Sequence, residues 1–450
     1  MLYAFDADDF SSMFTVNFGE PMDSDDVRDG AGYADFPSCD GEDEAGTIGI
    51  VGTPVIDLGE GALYLVANTV QQQDDKKLYF HTIHKVSLQT GAELVPARVI
   101  EGNFQGIVFN SRYHLQRTAL LLAGGRIYVA FASHNDERPY YGWLFSYDTN
   151  LNLVQFRNYS PKRSGTGIWQ SGAGPASDGQ SVYLTTGNNA EDEAGPEDYS
   201  DSILRINPET IEVDAKASFF SESNDWDDNA DLDLGSSRVI ALPDSRYLIS
   251  GSKLGDAFLI DRSTMAVTYR FTVSARQSIG FDWTGIYNGL AYWNKTLFAW
   301  PGGGAASYDP VYPVDHLKAY TIGDTAQLVA YGQTDGLGLG YQGANLVISA
   351  SGTDPATGIV WASTPANNSG WIRPGHLHAY AAGDLSTSVF QELWNDVSDD
   401  PAASYNFAKF TQPTIANGRV YLPTASSKVI VYGLLSSNPT RPVDEQGAGR

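Results

Sequence analysis

The chain has 450 residues, of which 42% are hydrophobic and 46 are glycine, so it can bury a sizeable core and form many tight turns. Its formal net charge of −26 argues against nucleic acid as a partner, because a phosphate-binding surface needs clustered Lys and Arg. No window of about 18 apolar residues occurs, so we expect no membrane span. The single cysteine, Cys39, excludes an internal disulfide.

The chain opens directly on the predicted strand LYAFD (2–6), and we expect no signal peptide ahead of it. A second strand, SMFTVNF (12–18), follows. Acid-rich insertions come at 20–47 and 189–202, and charge runs of this kind are usually solvated surface.

Two strand patterns then recur at intervals of roughly 50 to 60 residues, a period typical of repeat folds. The first places aromatic and aliphatic residues together at 63–65, 127–129, 182–184, 247–249, 297–299, 360–362 and 420–422. The second lies at 2–6, 83–87, 144–148, 203–207, 258–261, 317–321, 377–381 and 429–433, each followed by a polar turn except at the C-terminal copy.

The stretch 231–273 shows the repeating unit most clearly, as four apolar runs separated by Pro, Gly, Asp and Ser turns. Such a four-stranded antiparallel meander is not stable alone, but copies can pack face to face around an axis. We therefore predict an all-β fold, a seven- to eight-bladed β-propeller of four-stranded antiparallel blades. It forms a single domain over 1–435, followed by a polar tail at 436–450.

Two structural expectations follow from the repeat. Residues 2–18 should lie beside 429–435, because a ring whose ends stayed apart would leave an open strand edge. One aromatic per blade should occupy equivalent positions and pack between neighbouring sheets. These aromatics are Tyr64, Tyr128, Tyr183, Tyr247, Phe298, Trp361 and Tyr421.

The repeat resembles the blade of pyrroloquinoline quinone (PQQ)-type propellers over nearly the whole chain. The similarity is strongest in IGIVGTPVID (48–57), GIWQSGAGPASDGQSVYLTTGN (167–188), DLDLGSS (231–237), SGSKLGDAFLIDR (250–262) and NFAKFTQPTIANGRVYL (406–422). These runs resemble a group of secreted, eight-bladed quinoprotein-alcohol-dehydrogenase-like proteins, in which a further segment precedes LYAFD. The resemblance implies an extracellular or periplasmic location.

In the quinoprotein dehydrogenases PQQ and calcium form the site. The resemblance implies that Lys253 pairs with the quinone, that Asp198 is the catalytic base, and that Asn188 lies near the calcium ligands. This chain lacks the family's adjacent cysteines, has Tyr199 where an Asn follows the base, and shows no counterpart of the glutamate ligand. Lys253 is alternatively a solvated turn lysine, and Asp198 a loop acid.

A second group of residues needs no cofactor. The innermost strands of a propeller converge on its axis, and here they begin with polar or aromatic side chains that suit a small hydroxylated, carbohydrate or anionic ligand. Its members are Arg117, Trp169, Gln170, Asp231, Asp233, Tyr341 and Lys409. Alternatively, Asp231 and Asp233 pair with Arg117 and Lys409 and only stabilise the ring. A polar and aromatic run, SHNDERPYYGW (133–143), predicts a functional loop.

Three functions stay open at this point. The first is a monomeric binding propeller for a small-molecule or carbohydrate ligand. The second is a PQQ- and calcium-dependent dehydrogenase of alcohols or sugars. The third is a polysaccharide-degrading enzyme that uses the acids at the channel mouth. Nucleophile-elbow, Walker and zinc-protease signatures are absent from the sequence.

Overall fold

The structure, a computed structural model, describes 1–27, 46–134, 136–189, 199–219, 234–274, 285–302, 315–332, 342–366, 373–383, 385, 388–397 and 404–434. Within these residues the protein is all-β, with consecutive antiparallel meanders and only single turns of 3₁₀ helix. Seven sheets follow one another and are numbered here in chain order.

Sheet 1 contains Val55–Asp57, Ala62–Gln73, Lys76–Ser87 and Arg98–Val99. Sheet 2 contains His114–Leu115, Leu121–Ala123, Arg126–Ser133, Trp143–Asp148 and Leu153–Asn158. Sheet 3 contains Ala176–Ser177, Val182–Thr185, Ser202–Ile206 and Val213–Ser218. Sheet 4 contains Val239–Ala241, Tyr247–Gly251, Asp256–Asp261 and Val267–Thr272.

Sheet 5 contains Leu290–Trp293, Thr296–Ala299, Lys318–Ile322 and Ala326–Tyr331. Sheet 6 contains Asn345–Ser349, Ile359–Pro365, Gly375–Ala381 and Glu392–Asn395. Sheet 7 contains Thr414–Ala416, Arg419–Pro423 and Val429–Gly433. The N-terminal hairpin pairs Leu2–Phe5 with Ser12–Val16.

Two further strand pairs join Met22–Asp23 to Thr47–Ile48 and Asn103–Phe104 to Ile107–Val108. The 3₁₀ turns are Ser24–Val27, Gln170–Gly172 and Pro355–Thr357.

Buried apolar clusters join each sheet to the next. Tyr64 of sheet 1 lies in one cluster with Phe131 and Phe145 of sheet 2, and five more clusters join the successive pairs up to sheets 6 and 7. The loops ahead of the first strands also meet: Ala119 N donates to Ala173 O at 3.1 Å, and Gln170 N to Gly235 O at 2.9 Å. The protein is therefore a β-propeller, as predicted, while the number of blades stays a prediction.

The aromatic positions are confirmed with one correction. Tyr64 pairs with Lys85 and Tyr128 with Ser146, each the third residue of the facing recurrent run (83–87 and 144–148), and four of the other aromatics have the same register. In sheet 4 this position belongs to Ile249, and Tyr247 lies two residues earlier, on the same face. The prediction of equivalence was wrong for Tyr247, because Ile249 and not an aromatic residue fills that position.

The repeated polar turn between the third and fourth strands has a simple physical basis. In sheet 4 the Asp261 carboxylate accepts the backbone N–H groups of Ser263 and Thr264, and Met265 takes a left-handed conformation that starts the fourth strand. The N-terminal hairpin has the same turn: Asp6 accepts from Asp8 N at 2.8 Å, and Phe10 is left-handed. The hairpin therefore corresponds to the outer half of a blade.

This hairpin lies between sheets 1 and 7. Leu2 and Phe18 pack against the buried cluster of sheet 1, and the rings of Phe18 and His84 are 4.4 Å apart. On its other side Arg419, the register partner of Gly433, donates to the carbonyl of Ala7. The turn of the hairpin therefore contacts the last sheet at Arg419, while the position of residues 2–18 beside 429–435 stays a prediction.

Deleting residues 1–19 is expected to lower the melting temperature and promote aggregation, because the sheet 1 cluster around Leu65 and Val86 would become exposed. Differential scanning calorimetry and light scattering measure both effects. Tyr3→Ser is the control, since Tyr3 is 57% exposed and its loss uncovers no core. A deletion variant that melts like the wild type and stays monodisperse would contradict the role of the hairpin.

Candidate functional site at the centre of the propeller

An interruption in the first strand of sheet 2 moves Arg117 out of the sheet. His114–Leu115 pairs with residues 132–133, whereas Leu121–Ala123 pairs with residues 126–128, so the residues between them bulge from the ladder. Gln116 lies within the bulge and fills the space beside Gly52. A Cβ atom added to Gly52 would lie 2.0 Å from the Gln116 Oε1 atom, so this position requires glycine.

The guanidinium of Arg117 lies over two aromatic rings. Its central carbon is 4.1 Å from the ring centroid of Phe410 and 5.6 Å from that of Trp169, which is a cation–π arrangement from two sheets. Phe410 can approach this closely because Gly172 faces its carbonyl oxygen; a Cβ there would lie 2.1 Å from that oxygen. Gly172 also has a φ of +78°, so both the backbone conformation and the close contact with Phe410 disfavour a larger residue.

Two more cations accompany Arg117. Arg373 is 8% exposed, and its carbonyl oxygen accepts a hydrogen bond from Phe407 N at 2.8 Å. Lys409 lies two residues after Phe407 in the chain. Burial, then the charges of Arg373 and Arg117, lower the pKa of Lys409 to about 8. A chain of net charge −26 thus concentrates positive charge at this place.

Residues 407–412, called here the central segment, contact residues of five other sheets. Gln412 lies 3.2 Å from the Asn288 amide and also against Arg238. Asn345 donates to the carbonyl of Ala408 at 3.0 Å and accepts from Asn288 at 3.0 Å. Together with the contacts of Phe410, these bonds connect the segment to sheets 2, 3, 4, 5 and 6.

Several buried polar atoms around this centre have no hydrogen-bond partner within the described part of the chain. They are Oε1 of Gln116 and of Gln170, Oγ of Ser171 and of Ser237, Nε of Arg238 and both amide atoms of Gln342. These residues precede or begin the first strands of sheets 2, 3, 4 and 6. Buried amides and hydroxyls normally bond to water or a ligand when the protein offers no partner, so this lining suits hydroxyl groups.

The remaining predicted site residues have different outcomes. Lys253 is buried beside Tyr287, with its ammonium nitrogen 6.0 Å from the ring centroid. The carbonyl of Asn188 accepts from Thr166 N at 2.6 Å. Five residues named from the sequence lie outside the described residues: Cys39, Asp198, Asp231, Asp233 and Tyr341.

The described residues do not fit a calcium-assisted PQQ site. Calcium needs several oxygen ligands, usually including carboxylates. No group of three or more His, Cys, Asp or Glu residues within the described ranges is arranged to hold a metal ion. Asn188 therefore has no acidic cluster around it there, and we derive no step through PQQ or calcium.

The run at 133–143 forms a loop between the strands Arg126–Ser133 and Trp143–Asp148 of sheet 2, as predicted, but much of it is interior. Trp143 begins the second of these strands and is fully buried, as are His134 and Tyr140. Tyr140 donates to the Asp136 carboxylate at 2.8 Å. Aromatic neighbours from other parts of the chain, including Phe109, cover Trp143. A function for this loop stays a prediction.

His134 belongs to a group of three buried histidines. Burial lowers the pKa of His114 to about 4 and that of His134 to about 3, and it holds the pKa of His81 well below its ordinary value. Their mutual repulsion lowers the pKa values of His81 and His134 further. His114 is fixed as a neutral ring between Asn110 O and Tyr141 N, at 2.7 and 3.1 Å. The group is part of the interior between sheets 1 and 2.

Two central residues were missed from the sequence. Arg238, in SSRV, immediately precedes the first strand of sheet 4, so the rule that selected Arg117 also applied to it. Arg373 precedes the third strand of sheet 6. The sequence analysis selected only residues at the starts of the innermost strands, so it did not select Arg373.

The comparisons with known proteins add weak structural similarities. Neither protein-family models nor curated proteins give a match. A quinohemoprotein alcohol dehydrogenase from Comamonas testosteroni aligns with a TM-score of 0.48 and 11% identity, over 83% of this chain and 70% of that one. BamB from Moraxella catarrhalis aligns with a TM-score of 0.40 and 12% identity, over 81% of this chain and 96% of that one.

The β-propeller domain of Cps50 (Swd1) from Myceliophteria thermophila aligns with a TM-score of 0.43 and 11% identity, over 80% of this chain and 88% of that one. Among the described residues no helix is long and apolar enough to cross a membrane.

Proposed function

We propose that the protein binds a small hydroxylated or carbohydrate ligand at the centre of the propeller. The observation that carries this proposal is the placement of Arg117 over Trp169 and Phe410, together with Lys409 and the amide oxygen of Gln170, which has no partner among the described residues. Aromatic faces stack on sugar rings, while amides and guanidinium groups orient hydroxyl and anionic oxygens. These are the chemical groups that such a ligand needs.

The other residues named from the sequence complete the proposal. Asp231 and Asp233 would act as acceptors for ligand hydroxyls or as acid and base, and Tyr341 and Lys253 would add ligand contacts. Membership of the PQQ-like group and an extracellular or periplasmic location rest on the sequence resemblance. The dehydrogenase alternative, with Lys253, Asp198 and Asn188, stays a sequence-based prediction, because no acidic cluster among the described residues supports calcium.

Arg117→Ala is expected to weaken ligand binding by about tenfold, which corresponds to about 1.4 kcal/mol, because the ligand loses its charged contact. Calorimetry against neutral sugars, polyols and methyl galacturonoside measures the affinity. Arg98→Ala, an exposed arginine on the outermost strand of sheet 1, is the matched control and should bind normally.

The structural alternative gives a different pattern for the same variant. If Arg117 only balances buried carboxylates, Arg117→Ala destabilises the protein by several kcal/mol, since a buried charge is left unpaired. Melting temperatures on the same samples separate the two results. Destabilisation together with no ligand across the whole panel would overturn the proposed function.

A further inference from the structure

We propose that Lys409 is a nucleophilic amine that forms a reversible imine with a small aldehyde or ketone bearing a carboxylate, while Arg117 and Arg373 hold that carboxylate. The proposal rests on the central site of the proposed function and adds both a reaction and a substrate class to it. A sugar acid with a free reducing end combines the hydroxyl groups, the anion and the carbonyl.

The first support is the placement of Lys409. It lies in the central segment between Phe407, whose N–H is bound by the Arg373 carbonyl, and Phe410, whose ring lies under Arg117. The side chain is only partly exposed, and both guanidinium charges act on it. A lysine held among other cations and shielded from water is the usual setting of an amine that reacts with carbonyl groups.

The second support is the protonation state of the amine. Burial and the charges of Arg373 and Arg117 lower the pKa of Lys409 to about 8. Near neutral pH its unprotonated fraction is roughly a few hundredfold larger than that of an ordinary lysine, for which the pKa is about 10.4. The lone pair required for attack is therefore available without a separate base.

The third support is the chemistry of the two arginines. A guanidinium binds a carboxylate through two parallel hydrogen bonds and keeps its proton at any physiological pH. Arg117 and Arg373 can therefore bind the anionic group while Lys409 loses its proton, a division of roles that three lysines would not provide. The unpartnered amide oxygen of Gln170 adds an acceptor for a ligand hydroxyl.

The reaction is balanced without an oxidant or a reductant. The amine lone pair attacks the carbonyl carbon, and the carbonyl oxygen becomes the hydroxyl group of a carbinolamine. The carbon–oxygen bond then breaks, and the oxygen leaves as water with the two protons that the amine gave up. A carbon–nitrogen double bond remains, and water reverses the sequence.

The test uses glyoxylate as the probe and sodium borohydride to reduce the imine, followed by peptide mass mapping. We expect a carboxymethyl adduct on Lys409 that forms at least about tenfold faster than on the exposed Lys428 of the same sample, because more free amine is present. The rate at Lys409 should reach half its maximum near the pKa of about 8. Arg373→Ala should slow labelling at Lys409 but leave Lys428 unchanged.

Labelling is repeated on the unfolded protein, in which the preference for Lys409 over Lys428 should disappear if the folded site creates it. This comparison uses the wild-type chain, so it does not depend on whether a variant folds. Lys409→Arg should abolish the fast adduct. Equal labelling of Lys409 and Lys428 in the folded protein would overturn the imine proposal.

Methyl galacturonoside separates this proposal from the proposed function, because it has hydroxyl groups and a carboxylate but no free carbonyl. If it binds and glyoxylate is not trapped, the imine proposal fails and the binding function stands. If glyoxylate is trapped and no hydroxylated compound binds, the proposed function fails and Lys409 is a carbonyl-reactive amine only.

Discussion

Acidification from pH 7 to pH 4 is expected to destabilise the protein strongly, because three buried neutral histidines bind protons only when it unfolds. In an unfolded chain histidine has a pKa near 6.5, whereas burial lowers the pKa of His114 to about 4 and that of His134 to about 3 in the folded protein. Well above pH 6.5, from about pH 7.5, both states are neutral and this contribution does not change with pH.

As the pH falls below 6.5, the histidines bind protons in the unfolded state but stay neutral in the folded state, so the free energy of unfolding decreases. For His114 the loss accumulates down to its folded pKa of about 4 and amounts to about 3 kcal/mol. His134 and His81 add losses of the same sign. Denaturant titrations at pH values between 7.5 and 4.5 measure the slope.

His134→Phe should flatten this slope, because it removes a titrating group whose two ring nitrogens have no partner among the described residues. His376→Gln is the matched control, since His376 lies partly exposed on sheet 6. A free energy of unfolding that stays constant between pH 6.5 and 4.5 would show that the three histidines are already charged in the folded protein.

Trp143→Ala is expected to cost about 3–5 kcal/mol of stability, a large part of what a domain has. Trp143 is fully buried, and its ring centroid lies 5.7 Å from those of both Phe109 and Phe145. Removing the indole leaves a cavity between sheets 1 and 2 that rigid aromatic neighbours cannot close. The measurement is the denaturant midpoint with its slope.

Leu58→Ala is the control for this variant, since Leu58 is 84% exposed and its loss should change stability by less than about 0.5 kcal/mol. Equal effects of the two substitutions would contradict the assignment of Trp143 to the core.

The fold was predictable from the sequence because its signals are local. The Asp261 turn and the strands around it lie within a few residues of one another, and Asp6 repeats the same turn in the hairpin. The alternation of side chains along a strand also selects the face of an aromatic residue such as Tyr128. It did not distinguish Tyr247 from Ile249, because both residues point to the same side of sheet 4.

The candidate site was less predictable because its contacts are distant in sequence. Arg117 and Lys409 were selected by their positions ahead of first strands, yet no sequence pattern indicates that Phe410 lies under Arg117 or that Arg373 joins them. The burial of Trp143 at the end of the run 133–143 was not predictable for the same reason, because only the partner sheet makes it an interior residue.

The central segment also determines when the site comes into existence. Residues 407–412 are synthesised after every sheet that they contact, from Arg117 in sheet 2 to Asn345 in sheet 6. A nascent chain on the ribosome can therefore contain several stacked blades while it still lacks Lys409 and Phe410, the residue whose aromatic ring lies under Arg117. Such a chain leaves open to water the amide oxygens of Gln116 and Gln170, which have no partner among the described residues. If the proposed ligand binds at this centre, its binding requires a propeller whose synthesis has passed residue 412.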